Sequence, residues 1–376
     1  MPTPKIFVDV FCEIHDVLSS IAAGDFYNFS DVNIEPGAVY VIGRNEWSKN
    51  QARIRDIVEN KVAHIVFSNP AEGSTTMLGQ LHHLGISDLA ITGQIMILAG
   101  SEMDPAYRVL PFENFLHRMV NFEENIQCIG RTEEIYNKVD KPYLFLMLNG
   151  RMRPHRKWMI EAMRQSGLLD KSLYTNLDTG NPQHSVLSMV ADGIDYMAIR
   201  EPIKYLEPRY EVDLYKDQIS IETAISNVKF HLFKDEWGEA YIKPAPYIDT
   251  YFSIVNETVF ENKYSFRTEK IWKPIIMGQP WIAVANAGFY KDIRNLGFRT
   301  FDNVIDESFD LIADNQLRIE KIKDTVVALC ASNLPEFMLK CKSACLHNQA
   351  VMLEYQEQHA KEFPQKFISF VRENIQ

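Results

Sequence analysis

Long apolar stretches are absent from this sequence of 376 residues. The longest runs, at 143–148 and 281–285, are far shorter than the ~20 residues that a membrane-spanning helix needs. The N-terminal residues, MPTPKIFVDVF, also lack the basic start and the apolar segment of a signal peptide. We therefore expect a protein that has no membrane span and acts in the cytoplasm.

Glycine and proline are near or below their ordinary frequency, and cysteine is scarce. The 17 Gly and 17 Pro exclude collagen-like and low-complexity chains. The five cysteines are few and odd in number, which argues against a disulfide scaffold and for reduced thiols. Cys341, Cys345 and His347 lie close together in a helical stretch, but no second pair of zinc ligands accompanies them, so helix packing is the favoured interpretation.

An excess of basic residues is missing as well. The chain has 39 Lys and Arg against 50 Asp and Glu, and its formal net charge is −11. Proteins that bind duplex nucleic acid over a wide surface usually carry a basic face. Binding of DNA would therefore depend on local positive charge, for which one candidate cluster follows the second predicted strand: Arg44, Lys49, Arg53 and Arg55.

The sequence does contain short apolar runs that alternate with helix-like stretches. We predict strands at 5–10, 38–42, 64–68, 90–97, 142–148, 249–255, 280–285 and 299–301. We predict helices at 48–60, 75–84, 110–125, 269–277 and 288–296, from the run RMRPHRKW at 151–158 to about 166, and from 309 onwards, with a hinge at 131–141. This alternation predicts parallel sheets and an α/β fold. The length favours two domains, at 1–135 and 136–345, before a C-terminal helix at 346–376.

A first basic cluster follows the apolar strand at 142–148. The run LNGRMRPHRKW places a basic cluster where that strand ends and a helix begins: Arg151, Arg153, His155, Arg156 and Lys157. Ligands of open α/β sheets bind beyond the carboxyl ends of strands, where helix N-termini and guanidinium groups suit phosphate oxygens. The run predicts a phosphate site, and a solvated basic loop is the alternative.

A second cluster lies in the segment 251–289, where a strand, a polar loop, a helix, a Gly-Gln-Pro turn and another strand follow one another. Thr268 is the predicted N-cap of the helix, and Glu269 in its first turn suits the helix dipole. Lysine is not favoured there, so Arg267, Lys270 and Lys273 indicate an anionic ligand.

This run, with TEK at the start of the helix, resembles the nucleotide-sugar site of the α1,3-fucosyltransferase-like glycosyltransferases. In that group an Asn-containing strand end precedes a (Y/F)-x-T-E-K helix. More broadly the segment resembles the donor half of a GT-B glycosyltransferase. The whole chain resembles glycosyltransferase-like proteins of large tailed phages, some of which add sugars to hydroxymethylated cytosines of the viral DNA.

The resemblance implies an α/β fold of the GT-B type, with two Rossmann-type domains that face each other across a cleft and a helical C-terminal extension. It implies a nucleotide-diphosphate sugar as co-substrate, no other cofactor and no metal. The first domain would hold the acceptor and the second the donor. The acceptor stays open between DNA, in the host cytoplasm for a phage enzyme, a lipid-linked or bacterial surface glycan, and a protein side chain.

The resemblance also implies roles for single residues. Glu269 would hold the ribose hydroxyls, while Lys270 and Arg151 or Arg153 would bind the diphosphate. Asn256 or Glu257 would stand near the donor sugar. The loop FENKYSFR is longer and more charged than the family pattern, and Phe266 stands where an aromatic hydroxyl is expected, so the sugar and the nucleotide base stay open.

Transfer also needs a base that deprotonates the acceptor hydroxyl. Glu72, in the turn after the third predicted strand, is our first candidate, and Asp9, at the end of the first strand, is the second. A nucleotide-sugar-binding module without turnover is an alternative to an enzyme. A nucleotide-sugar epimerase or dehydrogenase is less favoured, because no Gly-x-Gly-x-x-Gly follows the first strand.

Overall fold

The computed structural model describes residues 4–10, 12–24, 28–149, 153–174, 242 and 244–375. The predicted α/β class with parallel sheets is confirmed. The described chain divides into two compact units, of which the first takes the residues up to His117, the segment Tyr264–Arg267 and the residues from Glu354 onwards. The second takes the rest. No helix in the described ranges is long and apolar enough to cross a membrane.

The first unit is built on five parallel strands that lie side by side in chain order. Its strands and helices are β1 (Ile6–Val8), α1 (His15–Leu18), β2 (Val39–Gly43), α2 (Arg44–Glu59), β3 (His64–Asn69), α3 (Ser74–His83), α4 (Ser87–Ile91), β4 (Ile95–Ala99) and β5 (Arg108–Pro111), after which α5 (Asn114–Asn121) begins. The register pairs Val41 with Val66. The direction of winding does not reverse among these strands.

Both faces of this sheet are buried, which explains why its strands are continuous apolar runs. Tyr40 and Ile42 point into a core that α2, α3 and α4 complete, in which Trp47 of α2 is fully buried against Phe67. Val39 and Val41 point to the opposite face, which is covered by α1 and by the last turns of the C-terminal helix. Alternate residues of one strand therefore serve two separate cores.

The second unit has a parallel sheet in which the described strands lie in the order β7-β6-β8-β9. Its strands and helices are α6 (Glu123–Ile129), α7 (Thr132–Asn137), β6 (Tyr143–Met147), α8 (Pro154–Gln165), β7 (Leu173–Tyr174), α9 (Pro244–Ile248), β8 (Thr250–Asn256), α10 (Glu269–Met277), β9 (Trp281–Val284), α11 (Phe289–Asn295), α12 (Asn315–Cys330) and α13 (Leu334–Asn374). Along the chain, β7 is added on one side of β6 and β8 on the other. Among the described strands, the direction in which strands are added therefore reverses between β6 and β8.

Several sequence-based bounds are wrong. The predicted strand at 90–97 begins only at Ile95, because α4 runs to Ile91 and Gly93, at a φ of 69°, ends it. The predicted helix at 110–125 is strand β5 followed by α5 and α6, since β5 pairs with β4. The hinge at 131–141 contains α7. Residues 299–301 form no strand, because the N–H and carbonyl of Arg299 bind the side chain of Asn348.

The units also differ from the predicted bounds 1–135, 136–345 and 346–376. The first unit's main segment ends at His117, and the C-terminal helix begins at Leu334 rather than at 346. The last turns of this helix belong to the first unit because Phe363, Phe367 and Val371 complete one of its cores. A unit assembled from distant segments leaves no compositional boundary in the sequence.

Candidate functional site

The candidate site lies in the second unit, at the carboxyl ends of β6 and β8. These two strands are neighbours, and the described strands reverse their order here, which is where open α/β sheets bind ligands. Asn256 is the last residue of β8, and its side-chain amide donates a hydrogen bond of 2.9 Å to Oδ1 of Asn149. Asn256 is fully buried, and its Oδ1 atom has no partner among the described residues.

Glu257, directly after β8, connects three segments. Its buried carboxylate accepts hydrogen bonds from the N–H of Thr258 at 3.0 Å and from the N–H and hydroxyl of Thr268 at 3.1 and 2.7 Å. Its carbonyl accepts from Nε2 of His155 at 2.9 Å and from the guanidinium of Arg156 at 3.1 Å. Glu257 therefore joins the first turn of α8 to the residue that precedes α10.

The first turn of α10 carries an ion pair between sequence neighbours. Nζ of Lys270 lies 2.5 Å from Oε1 of Glu269 and 3.1 Å from the hydroxyl of Thr268. Thr268 has the extended backbone of an N-cap residue, but its side chain makes no capping hydrogen bond. Thr268 is therefore the N-cap residue by position, but the predicted capping hydrogen bond is wrong, because the hydroxyl donates to Glu257 instead.

The two glutamates have opposite pKa shifts. Burial, reinforced by the charge of Glu269, raises the pKa of Glu257. Burial acts on Glu269 as well, but the charges of Lys270 and Lys273 outweigh it and lower its pKa. Glu269 is therefore held as a carboxylate beside a helix N-terminus, where a negative group is favoured.

His155 and Arg156 belong to the basic run that was predicted to bind phosphate, whereas Arg318 has no predicted role. His155 stacks on the ring of Phe260 at 5.1 Å, and Arg318 covers the same ring at 4.4 Å. Arg318 is buried and donates to five neutral acceptors, the carbonyls of Phe260, Ala285, Ile312 and Ala313 and the side chain of Asn315. Burial foremost, and then the nearby arginines, lower the pKa of His155 to about 4. The neutral imidazole keeps its proton on Nε2, since a carbonyl can only accept.

The predicted cationic cluster is assembled only in part. Arg153 is the half-buried residue before α8, and Lys273 lies half-buried on α10, while Arg151 is outside the described residues. Arg267 belongs to the first unit, where its guanidinium binds both carboxylate oxygens of Glu113, with Nε 3.0 Å from Oε2. The guanidinium predicted for a diphosphate is thus engaged by a carboxylate.

The two candidate bases lie in the first unit. Asp9 is fully buried and accepts a hydrogen bond of 3.1 Å from the N–H of Gly43, where β2 passes into α2. Glu72 is half-buried in the turn between β3 and α3, and its carboxylate has no hydrogen bond or ion pair within the described ranges. Of the two, Glu72 has the carboxylate that can accept a proton from a substrate without losing an internal bond.

No group of three or more His, Cys, Asp or Glu side chains in the described ranges is placed to hold a metal ion. Cys341 and Cys345 are buried on α13, and burial raises the pKa of the Cys345 thiol to about 12. Comparison of the chain with protein-family models, curated proteins and solved structures gave no match.

Proposed function

We propose that this protein is a glycosyltransferase of the GT-B type that moves a sugar from a nucleotide-diphosphate donor to an acceptor hydroxyl. One observation carries the proposal: Glu269 and Lys270 occupy the first turn of a helix that Glu257 ties to the carboxyl end of β8, beside the reversal of strand order. A helix N-terminus, a cation and an ionised carboxylate are there combined in one place.

In this proposal Glu269 accepts hydrogen bonds from the two ribose hydroxyls of the donor, for which its lowered pKa is suited. Lys270 and the N-terminus of α10 stabilise the negative charge that grows on the diphosphate as the glycosidic bond breaks. Arg153, which precedes α8, is a further candidate for the same oxyanions. Asn256, whose Oδ1 has no partner in the described part of the chain, is a candidate acceptor for a hydroxyl of the sugar.

We propose Glu72 as the base that deprotonates the acceptor, because its carboxylate makes no internal bond within the described ranges, whereas that of Asp9 holds Gly43. For the acceptor we propose a hydroxymethylated base in DNA, with a surface glycan as the competing acceptor. The net charge of −11 requires that such DNA binding be local.

Donor hydrolysis and transfer test the proposal. The purified protein is incubated with UDP-, GDP- and CMP-sugars, alone and with duplex DNA that contains hydroxymethylcytosine, and nucleosides are analysed by mass spectrometry. We expect slow hydrolysis of one diphosphate donor and a sugar adduct on the modified base. Binding of a nucleotide sugar without hydrolysis or transfer would instead indicate a binding module.

Two further conditions sharpen this experiment. Glu72→Gln is expected to abolish transfer and to keep donor binding, while Glu102→Gln, an exposed acid of the same unit, is the matched control. Because cationic side chains are proposed to stabilise the leaving group, we expect EDTA to leave most of the activity. Complete loss with EDTA that Mg²⁺ or Mn²⁺ restores would contradict this mechanism.

A further inference from the structure

Two glycines at the carboxyl edge of the first unit's sheet make room for one aromatic ring. Gly73 lies between β3 and α3, and Gly100 directly follows β4. An added Cβ at Gly73 would come 2.8 Å from the ring of Phe266, and one at Gly100 would come 2.6 Å from it. Any other residue at these positions would take space from the ring. We call the space that the ring fills beside Gly73 and Gly100 the ring slot.

The ring that fills the slot is apolar. Phe266 belongs to the segment Tyr264–Arg267 of the first unit and is buried. Phe115 contacts its ring edge-on, with centroids 5.8 Å apart. Because a phenyl ring has neither donor nor acceptor, Phe266 forms no hydrogen bond with polar groups that border the slot.

Asn114 brings such a polar group to the slot. The residues on both sides of it reach the segment that carries the ring, because Phe115 contacts Phe266 and Glu113 binds Arg267. The side chain of Asn114 is buried, and neither its Nδ2 nor its Oδ1 has a hydrogen-bond partner among the described residues. Buried amides are normally paired, so a donor and an acceptor are here left for a ligand.

Glu72, the residue proposed as the base, borders the same slot. It directly precedes Gly73, and its carbonyl accepts a hydrogen bond of 3.0 Å from the N–H of Gly100. The backbone of Glu72 is thus joined to both glycines of the slot. Its half-buried carboxylate extends from this position.

We propose that the ring slot binds a pyrimidine base, and that Phe266 occupies the place of this base until its side chain turns away. A pyrimidine is a planar ring of the size of a phenyl group, and its edge carries a donor beside an acceptor, which the amide of Asn114 can pair with. Enzymes that act on a base extrude it into a pocket of this kind, with apolar contacts to its face and hydrogen bonds to its edge. That the base is the sugar acceptor rests on the proposed function; the slot itself does not.

Competition between Phe266 and the base predicts that removal of the ring tightens binding. A ligand binds more weakly in proportion to the fraction of molecules whose site is closed to it. Phe266→Ala should therefore bind the deoxynucleoside of hydroxymethylcytosine about tenfold or more tightly than wild type. Phe67→Ala, which removes a buried phenyl ring from a core of the same unit, is the matched control and should show no such gain. Thermal melting verifies that both variants fold.

Toluene separates a base site from a simple cavity. A cavity left by a deleted ring binds apolar rings, so we expect toluene to bind to both alanine variants. Asn114→Leu, added to Phe266→Ala, should remove the gain for the nucleoside and leave the binding of toluene. Deoxyadenosine, whose base has two fused rings, should gain less than the pyrimidine nucleoside.

A fluorine label tests the slot without a cavity, for the case in which Phe266→Ala does not fold. With para-fluorophenylalanine at position 266 of the full-length chain, the nucleoside should shift the fluorine resonance towards its value in the unfolded chain. A resonance that does not move, or a folded Phe266→Ala that binds the nucleoside no better than wild type, would overturn the slot. If the nucleoside binds as expected but no nucleotide sugar supports transfer, the proposed function fails and the slot stands.

Discussion

Glu257 accepts both hydrogen bonds that Thr268 donates, the one from its N–H at 3.1 Å and the one from its hydroxyl at 2.7 Å. A threonine before a helix normally turns its hydroxyl towards the first free N–H groups of that helix. Here the hydroxyl turns to a carboxylate that follows the preceding strand. The start of α10 is thus held by Glu257, the residue that follows β8. The first turn of α10 carries the ion pair of Glu269 and Lys270.

The first prediction concerns this contact. Thr268→Val has almost the same shape but lacks the hydroxyl, so Glu257 loses one of its three donors. We expect the free energy of unfolding to fall by about 1.5–3 kcal/mol, the usual range for a hydrogen bond to a charged group. Thr268→Ser is the control, and it should keep most of the stability. Equal denaturation midpoints for the two variants would show that the hydroxyl contributes nothing.

The outline of this site could be predicted from sequence because its signals are local. The helix Glu269–Met277 has the predicted bounds, since Gly278, at a φ of 69°, ends it within one turn. The basic run before α8 and the TEK residues are local patterns as well.

The partners of these residues could not be predicted. His155 lies 102 residues from Glu257, and Glu113 lies 154 residues from Arg267. Neither pair leaves a periodicity or a spacing that one sequence can show. A glutamate before a polar loop looks the same whether it faces a ligand or, like Glu257, binds the ends of that loop.

The second prediction compares two glycines of the first unit. Gly100→Ala would place a Cβ 2.4 Å from the carbonyl oxygen of Pro70 and 2.6 Å from the ring of Phe266, and the backbone oxygen cannot move aside easily. We expect a loss of about 1–3 kcal/mol, as for other overpacked sites. Gly79→Ala, in α3 with open space around it, should gain about 0.5–1 kcal/mol. Thermal melting of both variants checks the opposite signs.

A third prediction concerns pH. The pKa of His155 is lowered to about 4, mainly by burial, whereas an unfolded histidine titrates near 6.5. Between these values the unfolded chain binds the proton and the folded chain does not, so stability falls as the pH falls from about 6.5 to about 4. The full difference is about 3 kcal/mol.

Replacement of His155 isolates its share of this pH dependence. His155→Gln keeps a donor for the carbonyl of Glu257 but cannot be protonated, so its stability should fall less between pH 7 and pH 4 than that of wild type. His82→Gln, at an exposed position of α3, is the control. Parallel curves of melting temperature against pH for wild type and His155→Gln would contradict the prediction.

The last prediction separates the roles of Glu269 and Lys270. If Glu269 accepts hydrogen bonds from ribose hydroxyls, Glu269→Ala weakens donor binding by about 1.5–3 kcal/mol, which is about 10- to 150-fold. Folding should survive, because a glutamate in the first turn contributes about 0.3–1 kcal/mol through the helix dipole. Glu261→Ala, an exposed acid of the loop before α10, is the matched control.

If the proposed function holds, Lys270→Ala lowers turnover more than donor affinity, because the charge on the diphosphate would grow as the glycosidic bond breaks and the lysine would act mainly in the transition state. The substitution also leaves the buried carboxylate of Glu269 without the ammonium group 2.5 Å away, so thermal melting must accompany the kinetics. Calorimetry measures the affinity of each variant for the nucleotide diphosphate, and kcat for sugar transfer measures its turnover. Normal donor binding by Glu269→Ala, or unfolding of both variants, would make the TEK residues a structural helix start and refute the assignment of the donor site.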